Sequence, residues 1–422
     1  MKLARKVEIQ PTPTQRQALL QHAGNARWAY NWGLRRKQEA WAVRKNALAA
    51  GVPKKTAPKV PTAIDLHREL NVLKKLPVEN GGVPWMYEAS KCAPQEALKN
   101  LDQGYKNFFR RVKEGKKPGY PKRKKRSRGI GGFRLTGAIT VHESGIALPR
   151  IGRLRIKPGD QETLILGSYV QASITEQAGR WYVSVMAFDI PEAKPNGGPE
   201  VGIDLGVVRL ATLSDGTFIE NPRALKASEK RLKRRQKEVS RRRKGSARRL
   251  KAKQALSRSW RRVRNVRQDA LHKATTMLTK SHGRIVIEDL KVRNMTRRAR
   301  GRGRAAKAGL NRVVLDAGFS EFRRMLEYKG KLYGCEVVAV PAAYTSQRCS
   351  SCQYVDAGSR KSQSAFECLR CGLVIHADLN AAVNIYVAGS CPETQNAKGA
   401  GVRPDNLRVV RQSVMNLESA CA

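Results

Sequence analysis

The chain has 422 residues and carries 83 Lys and Arg against 34 Asp and Glu, a formal net charge of +49. This length exceeds what one core of ordinary size needs, so we expect two or three domains. Such an excess of positive charge destabilises a compact fold unless a polyanion neutralises it, which favours a nucleic-acid-binding protein. The chain has no apolar run of the ~18–20 residues that span a membrane, and its start, MKLARKVEIQ, lacks the apolar core of a secretion signal. We therefore expect a cytoplasmic, nucleoid-associated protein.

The N-terminal part combines strands with helices. Residues 2–9 alternate as a strand, and Thr12-Pro13-Thr14-Gln15 resembles a capping box that begins a helix. Helical spacing continues to Leu34, and further helices are predicted over 63–75 and 88–113. Short strands separated by Gly and Pro then predict a small antiparallel barrel that the first strand joins. They cover residues 139–142, 146–148, 154–156, 169–176 and 181–188.

The helix predicted over 88–113 carries an apolar stripe between basic residues. We expect the stripe to face a core, and the basic residues to face nucleic-acid phosphate because the whole chain is so positive. A basic linker follows at 115–128. The stripe consists of Leu98, Leu101, Tyr105, Phe108 and Phe109.

After a linker at 191–200, where we place the main domain boundary, the pattern changes. Strands are predicted at 201–205, which carries Asp204, at 208–214 and at 217–219, the last two joined by an Asp-Gly turn. Consecutive strands that open on an aspartate suggest the start of an RNase H-like sheet.

The next segment, 226–267, holds twenty Lys and Arg but only two acidic residues. We expect a helical hairpin broken near 244–246, whose basic faces bind a polyanion. Later elements are a strand at 284–290 that ends in Glu288 and Asp289, a mobile loop at 297–304, and a tail from 388 that is partly disordered. Between the loop and the tail, a helix is marked by Phe319, Phe322, Leu326 and Leu332, a strand covers 336–340, and a last helix covers 377–387.

Four cysteines have the spacing of a structural zinc site. Cys349 and Cys352 form one C-x2-C pair, and Cys368 and Cys371 form a second after fifteen intervening residues. A redox role is not expected, because two pairs are present and no thioredoxin-like βαβ pattern surrounds them. Four sulfur ligands also leave no open position for catalysis. His376 is therefore expected to be a packing or DNA-proximal residue.

Three carboxylates stand at a first strand, a later strand end and a C-terminal helix: Asp204, Glu288 and Asp378. Hydrolysis of a phosphodiester by two metal ions needs such hard oxygen ligands. Each residue alone has a structural alternative, since Asp204 could cap a turn and Glu288 could face solvent. Together in so basic a chain they favour a metal site. The alternatives for a fourth ligand are Asp289, Asp316 and Glu321.

These motifs resemble a known family. GIDLG at 202–206, IVIEDL at 285–290, the paired cysteines and HADLNAAVNI at 376–385 are similar to the split RuvC nuclease of the transposon-encoded TnpB proteins and of type V CRISPR effectors. The likeness extends to RRRKGSAR at 241–248, RQDALHK at 267–273 and ALKNLDQGYKNFFR at 97–110. It therefore covers nearly the whole chain.

The resemblance implies a multidomain α/β fold. An N-terminal antiparallel β-barrel, the wedge, would comprise residues 1–10 and 115–192, with a helical recognition domain inserted at 11–114. An RNase H-like RuvC domain would follow at 193–342 and 375–388, with an inserted basic helical hairpin. A four-cysteine zinc ribbon that binds target nucleic acid would cover 343–374, and a tail 389–422.

The resemblance also implies an RNA-guided DNA endonuclease. It would bind a guide RNA from the transposon end, recognise a short target-adjacent motif, and cleave both DNA strands at one site. Asp204, Glu288 and Asp378 would bind two Mg²⁺, the four cysteines one Zn²⁺, and the complex would be a monomeric ribonucleoprotein. Alternatives are a small type V CRISPR effector, a nuclease-silent RNA-guided repressor, and a resolvase that cuts branched DNA without RNA.

The resemblance and the charge pattern together predict the nucleic-acid contacts. Lys91 and Gln95 would contact the target-adjacent motif, and the loop at 297–304 would be a lid over the active site. The full predicted set is Lys91, Gln95, Lys99, Lys106, Arg110, Arg241, Arg242, Arg243, Lys244, Arg297 and Arg298.

Overall fold

The computed structural model describes residues 3–126, 129–159, 167–187, 191–299, 301 and 303–390. The chain divides into two compact units, residues 1–190 and 191–422. Predictions for residues 391–422 of the tail, for the outer ends of the strands predicted at 2–9 and 181–188, and for residues 300 and 302 of the loop lie outside the described residues. No helix in the described ranges is long and apolar enough to cross a membrane.

The first unit contains the predicted barrel. Six antiparallel strands close in the order β1-β4-β3-β2-β5-β6, and alternate side chains such as Val7 and Ile9 of the first strand point into its core. The strand from the N-terminus joins the barrel by pairing with β4 and β6. The strands are β1 Leu3–Gln10, β2 Gly132–His142, β3 Gly145–Leu148, β4 Gly152–Ile156, β5 Gly167–Gln177 and β6 Arg180–Ala187.

Three helices are inserted between β1 and β2: α1 Pro13–Ala49, α2 Ala63–Leu73 and α3 Cys92–Lys113. The capping box at the start of α1 is confirmed, because the Thr12 side chain accepts from the backbone of Gln15 and the Gln15 side chain accepts from the backbone of Thr12. One face of α1 packs with α3 against the barrel. A different face packs with α2 and α3 into a separate small core.

The prediction that the whole apolar stripe of α3 faces a core is wrong. Leu98 and Leu101 are fully buried, but Phe109 is 56% exposed. The barrel core extends along α3 as far as Tyr105, which packs at its margin, and the smaller core extends only as far as Leu98. The last two turns of α3 therefore carry aromatic side chains that no described core covers. The helix also begins at Cys92 and not at residue 88, because a separate 3-10 helix occupies Pro84–Glu88.

The second unit is built on a five-stranded sheet in the order β11-β10-β7-β8-β9. β7, β10 and β11 are parallel neighbours, whereas β8 runs antiparallel to β7 and β9 antiparallel to β8. The strands are β7 Glu200–Leu205, β8 Arg209–Leu213, β9 Phe218–Glu220, β10 Arg284–Glu288 and β11 Glu336–Val340.

Helices cover both faces of this sheet. Leu271 of α5 and Phe322 of α8 belong to the core that contains Ile285 and Ile287 on one face of β10. On the opposite face, Val286 packs with Ile385 of α9. The helices are α4 Ala224–Ser240, α5 Ala247–Ser281, α6 Val292–Met295, α7 Arg304–Ala317, α8 Phe319–Tyr333 and α9 Ala377–Ser390, and two short strands, β12 Ala365–Glu367 and β13 Val374–His376, precede the last helix.

Candidate active site and cysteine cluster

The sheet brings two of the three predicted carboxylates to the same edge. β7 and β10 are parallel and pair in register, with Ile203 opposite Ile287. Asp204 and Glu288 are the next residues along these strands, so both lie at the carboxyl ends of adjacent strands. Side chains alternate between faces, which places both on the face that carries Gly202, Val286 and α9.

Two glycines seat α9 on that face. A Cβ on Gly202 would lie 2.3 Å from the carbonyl oxygen of Ala382, and a Cβ on Gly389 would lie 2.5 Å from the side chain of Val286. Real Cβ atoms do not approach so closely, so α9 can reach the sheet only because both positions lack a side chain. This close packing brings Asp378, in the first turn of α9, towards the edge occupied by Asp204 and Glu288.

The three carboxylates interact electrostatically. Burial raises the pKa of Asp204 from its ordinary value to about 7, and the nearby negative charges of Glu288 and Asp378 raise it further, while Arg360 opposes them. Burial also raises the pKa of Glu288. Buried carboxylates that lie this close to one another resist full ionisation together, and a nearby positive charge favours their ionised forms.

Two side chains from the segment before α9 hold the cluster. The Thr345 hydroxyl donates to Glu288 Oε1 at 2.6 Å, and this hydrogen bond opposes the effect of burial on the pKa of Glu288. The Arg360 guanidinium lies 3.9 Å from Asp378 Oδ1. Arg360 therefore supplies positive charge at the carboxylate cluster.

A pair of buried asparagines fixes the segment that carries Thr345. Asn380 Oδ1 accepts from the backbone of Ser350 at 2.8 Å, and Asn380 Nδ2 donates to Arg348 O at 2.7 Å. Asn384, one turn later on α9, donates to Thr345 O at 3.0 Å and to Arg348 O at 2.6 Å. The sequence alone predicted no role for these two asparagines. Two asparagines four apart in an otherwise apolar helix were the available signal, because buried amides need partners.

The four predicted cysteines form a compact cluster. Their sulfur atoms all lie within 4.8 Å of one another, with 3.7 Å between the sulfurs of Cys349 and Cys371 and 3.5 Å between those of Cys352 and Cys368. Tetrahedral Zn²⁺ with Zn–S bonds of about 2.3 Å places its sulfurs about 3.8 Å apart. The cluster therefore has the dimensions of a structural zinc site.

Both C-x2-C pairs make the same turn. The residue after each pair, Gln353 or Gly372, has a positive φ, and its N–H donates to the carbonyl of the first cysteine, at 3.1 and 3.0 Å. Among the described residues, no other set of three or more His, Cys, Asp or Glu ligand atoms is as tightly grouped as the four sulfurs. The carboxylate oxygens of Asp204, Glu288 and Asp378 are less tightly grouped than these sulfurs. His376 is engaged elsewhere, since its Nδ1 accepts from the backbone of Asp378 at 3.2 Å.

The alternative acidic ligands are paired with arginines. Asp289 pairs with Arg323, and Glu321 pairs with Arg324 at 3.2 Å. Asp316 pairs with Arg267 and also accepts from the backbone of Leu225 at 2.9 Å. These contacts give all three residues structural partners.

The predicted nucleic-acid contacts lie on several elements. Lys91 precedes α3 and is exposed, Gln95 lies in its first turn, and Lys99, Lys106 and Arg110 follow on exposed positions. Lys99 and Arg110 are paired with Glu96 and Glu114, at 2.7 and 3.7 Å. The other six residues, Arg241, Arg242, Arg243, Lys244, Arg297 and Arg298, are exposed in the second unit.

Two open cavities in the second unit are lined by basic residues. One, of about 800 Å³, is formed along α4 and the following turn by Lys230, Lys233, Arg234, Lys237, Arg241 and Arg242, with Glu238. The other, of about 1180 Å³, lies between the start of α7 and residues 297–301, and its lining includes Arg297, Arg298, Arg304 and Lys307. Helix α7 begins at Arg304, which is the last residue of the loop predicted at 297–304.

Comparison with known proteins identifies the family. A curated protein of Escherichia coli (strain K12), named "Putative RNA-guided DNA endonuclease InsQ", is 37% identical over 314 residues, which cover 72% of this chain and 76% of the relative. The chain belongs to the TnpB family. The resemblance predicted from the sequence motifs is thereby confirmed.

Other comparisons extend over the whole TnpB-family chain. A Streptomyces pristinaespiralis protein named "Putative RNA-guided DNA endonuclease" is 31% identical over 423 residues, 98% of this chain and 96% of the relative. A solved Cas12f1–sgRNA–target DNA complex aligns over 92% of this chain and 98% of its own, with 15% identity and a TM-score of 0.48.

Three family models match separate parts of the chain. They are described as "Probable transposase" over residues 180–299, "Cas12f1-like, TNB domain" over 319–385 and "Helix-turn-helix domain" over 1–46. In the described part of the last range, the structure has a strand and one continuous helix, β1 and α1. These elements belong to the barrel unit and do not form a helix-turn-helix.

Proposed function

We propose that this chain is an RNA-guided, Mg²⁺-dependent DNA endonuclease whose single active site is formed by Asp204, Glu288 and Asp378. The observation that carries the proposal is the meeting of these three carboxylates on one face and edge of the sheet, where each neighbour raises the pKa of Asp204. The named activity of the relatives, RNA-guided DNA endonuclease, supports the same conclusion.

The sheet of the second unit supports an RNase H-like RuvC assignment. Three antiparallel strands, β9, β8 and β7, are followed by two parallel strands, β10 and β11, on the other side of β7. In this arrangement the central strand β7 and its parallel neighbour β10 end beside the last helix. We therefore assign the nuclease domain to residues 193–342 and 375–388, the zinc ribbon to 343–374, the barrel to 1–10 and 115–192, and the recognition insert to 11–114.

The residues at the edge fit a pair of Mg²⁺ ions. The donor set consists of hard carboxylate oxygens, and the raised pKa of Asp204, caused by burial and by the charges of Glu288 and Asp378, supports a place for positive charge beside it. When bound, two such ions activate water and stabilise the leaving oxygen of a phosphodiester. Asp204, Glu288 and Asp378 would together hold the ions.

The remaining residues of the site orient these ligands. Thr345 holds one oxygen of Glu288 by its hydroxyl, and thereby leaves the other oxygen free to bind a cation. Asn384 fixes the backbone of Thr345, and Asn380 fixes the backbone of Arg348 three residues later. Arg360 lies close enough to Asp378 to neutralise charge there. Its guanidinium would also bind a phosphate of the DNA at this site.

The basic surfaces would bind the nucleic acids. We assign the cavity along α4, with Arg241 to Lys244, to the guide RNA, because its lining has six cations and one acid. The loop at 297–304 follows β10, which carries Glu288, and the short helix α6 in the chain, and we assign it a lid function at the active site. Lys91 and Gln95 would contact the target-adjacent motif. The working particle would be a monomeric ribonucleoprotein with one structural Zn²⁺ on the cysteines, associated with the nucleoid.

Cleavage of a target plasmid tests the proposal. The protein is purified with its co-purifying RNA, the RNA is sequenced, and a plasmid that contains the matching target is supplied with Mg²⁺. Asp204→Ala should abolish cleavage while RNA binding persists. The matched control is Asp289→Asn, since Asp289 is adjacent to Glu288 but pairs with Arg323, and this variant should still cut. A parent protein that binds RNA and target DNA without cutting would instead show the nuclease-silent alternative, and cleavage of branched DNA without RNA would show a resolvase.

A further inference from the structure

Four aromatic rings at the exposed end of α3, three on the helix and one just after it, have no role in the proposed function. They are Tyr105, Phe108 and Phe109 of α3, and Tyr120 from the segment that follows the helix. We call these four residues the aromatic platform. Phe109 is 56% exposed and Tyr120 is 42% exposed, so the platform presents ring surface to solvent.

The rings contact one another in a fixed arrangement. The Tyr120 ring stands edge-on to Tyr105 and Phe108, with centroids 5.6 and 5.3 Å away. Phe109 lies 6.4 Å from Tyr105 in a stacked orientation and 5.3 Å from Phe108 in an edge-to-face orientation. The two tyrosine hydroxyls share a hydrogen bond of 2.9 Å. The Phe109 ring therefore packs against Tyr105 and Phe108, and Tyr120 in turn packs against those two rings.

The segment that supplies Tyr120 is fastened to the helices and does not act as a free linker. The Arg111 guanidinium donates to Lys117 O at 3.2 Å, and the buried Pro121 lies against Gly104 of α3. Further along, the side chain of Asn31 makes two hydrogen bonds to the backbone of Lys124, at 3.0 and 2.8 Å. Binding to this surface would therefore cost little ordering of the chain.

The surroundings of the platform are strongly basic. Between residues 103 and 126, eleven side chains are Lys or Arg and Glu114 is the one acid. Glu114 is paired with Lys116 at 2.8 Å and with Arg110 at 3.7 Å. Lys106, Arg111 and Lys113 are exposed near the platform. A second copy of this chain, with its own charge of +49, would be repelled by such a surface, whereas a polyanion with flat apolar faces would be attracted.

We propose that the aromatic platform is a nucleobase-stacking site, which binds an unpaired base or a terminal base pair while the surrounding cations contact the adjacent phosphates. Base–aromatic stacking combined with a basic groove is how proteins bind single-stranded nucleic acid without reading its sequence. The site lies at the end of α3 opposite to Lys91, so it is separate from the proposed motif contacts. It deepens the proposed function and depends on it only for nucleic acid as the partner.

The test separates stacking from charge. The full-length chain is titrated with an oligothymidylate and with an abasic deoxyribose-phosphate oligomer of the same length, which carries the charge without the bases. An oligouridylate distinguishes an RNA base from a DNA base. The variants are Phe109→Ala, Phe109→Trp, and the control Trp41→Ala, because Trp41 is 50% exposed on α1 and lies outside the platform.

If the platform stacks bases, Phe109→Ala should weaken the binding of either the oligothymidylate or the oligouridylate by about five- to a hundredfold. The binding of the abasic oligomer should change less than about twofold. Phe109→Trp should restore the affinity, and Trp41→Ala should leave it unchanged. Ultraviolet cross-linking of the parent complex, followed by mass spectrometry, should place nucleotide adducts on the peptides that contain Phe109 and Tyr120.

Two results would overturn the platform. One is an equal loss with base-bearing and abasic oligomers, which would leave only phosphate contacts. The other is a change of oligomeric state in Phe109→Ala with unchanged nucleic-acid affinity, which would make the surface an interface between copies. A parent chain that binds none of the oligomers would overturn the nucleic-acid function itself, and this failure is distinct from loss of the Phe109 effect.

Discussion

Replacing Asp204 by Asn should stabilise the metal-free protein at alkaline pH while it abolishes cleavage. Burial and the charges of Glu288 and Asp378 raise the pKa of Asp204 from 3.8 to about 7. In the unfolded chain the carboxyl ionises near 3.8, so folding favours its protonated form. The stability that the group contributes is therefore fully present below pH 3.8 and is lost as the pH rises through about 7.

The size of the effect follows from that difference. At about 1.4 kcal/mol for each pKa step, an ionised Asp204 opposes folding by up to about 4 kcal/mol at pH 8. Partial exposure of the site to solvent reduces this to about 2–4 kcal/mol. Asparagine has nearly the same shape and carries no charge, so the variant should recover this free energy of unfolding. For a unit of this size the melting temperature should rise by about 4–16 °C.

The assay is thermal unfolding in a metal chelator at pH 8 and at pH 5, followed by the same scans with Mg²⁺. The stabilisation should be largest at pH 8 and less than half as large at pH 5, because the loss of stability accumulates between pH 3.8 and about 7. Mg²⁺ should raise the melting temperature of the parent more than that of Asp204→Asn. Asp269→Asn is the control, because the Asp269 side chain is 63% exposed and pairs with Lys273 on the surface of α5. Equal melting temperatures of parent and Asp204→Asn at pH 8 would refute the account of three converging carboxylates.

Three further predictions concern the supports of the site. Asn384→Ala leaves the carbonyl of Thr345 without its donor and removes one of the two amide donors to Arg348 O, since Asn380 still donates there. We expect a loss of about 1–3 kcal/mol in unfolding free energy and slower cleavage, and cleavage at the parental rate would show that this segment does not position Glu288. Gly202→Ala places a Cβ 2.3 Å from Ala382 O. This contact should displace α9 and abolish cleavage. The control is Gly24→Ala, which should cut normally because a Cβ at Gly24 meets nothing within 4 Å. Cys368→Ser should reduce bound zinc from about one ion per chain to none, measured by elemental analysis, and should lower the melting temperature; a variant that melts and cuts like the parent would contradict a structural zinc.

Local patterns in the sequence predicted the elements that hold the site. The three consecutive apolar residues Ile285, Val286 and Ile287 predict β10 because such a run suits a strand buried on both faces, and the structure buries all three completely. The predicted strand at 201–205 lies within β7, and Asp378 stands at the start of the predicted last helix. Because these elements form a sheet covered by a helix, the order of the three acids along the chain was enough to suggest their meeting.

Contacts between distant segments could not be predicted in the same way. Thr345 binds Glu288 across 57 residues of sequence, and neither residue carries a local signal of the other. Helix α7 was missed because it follows an Arg- and Gly-rich run, and its N-cap residue, Gly303, makes no side-chain capping bond. Periodicity also gave the face that Phe109 shares with Leu98, but it could not show that the neighbouring helices end before Phe109 is covered.

Helix α1 shows the opposite limit. Its apolar spacing ends near Leu34, yet the helix continues to Ala49. The last fifteen residues, mostly Ala, Arg, Lys and other strong helix formers, extend it by intrinsic propensity and lie largely exposed. Apolar periodicity marks buried positions, so it does not detect a helical segment that is exposed to solvent.

The most direct test of the central claim is anomalous diffraction from the ribonucleoprotein bound to a non-cleavable target DNA, with Mn²⁺ in place of Mg²⁺. The account predicts two Mn²⁺ peaks about 3.5–4 Å apart, which Asp204, Glu288 and Asp378 together ligate. Mn²⁺ density absent from this edge of the sheet, or bound to acids other than these three, would contradict it.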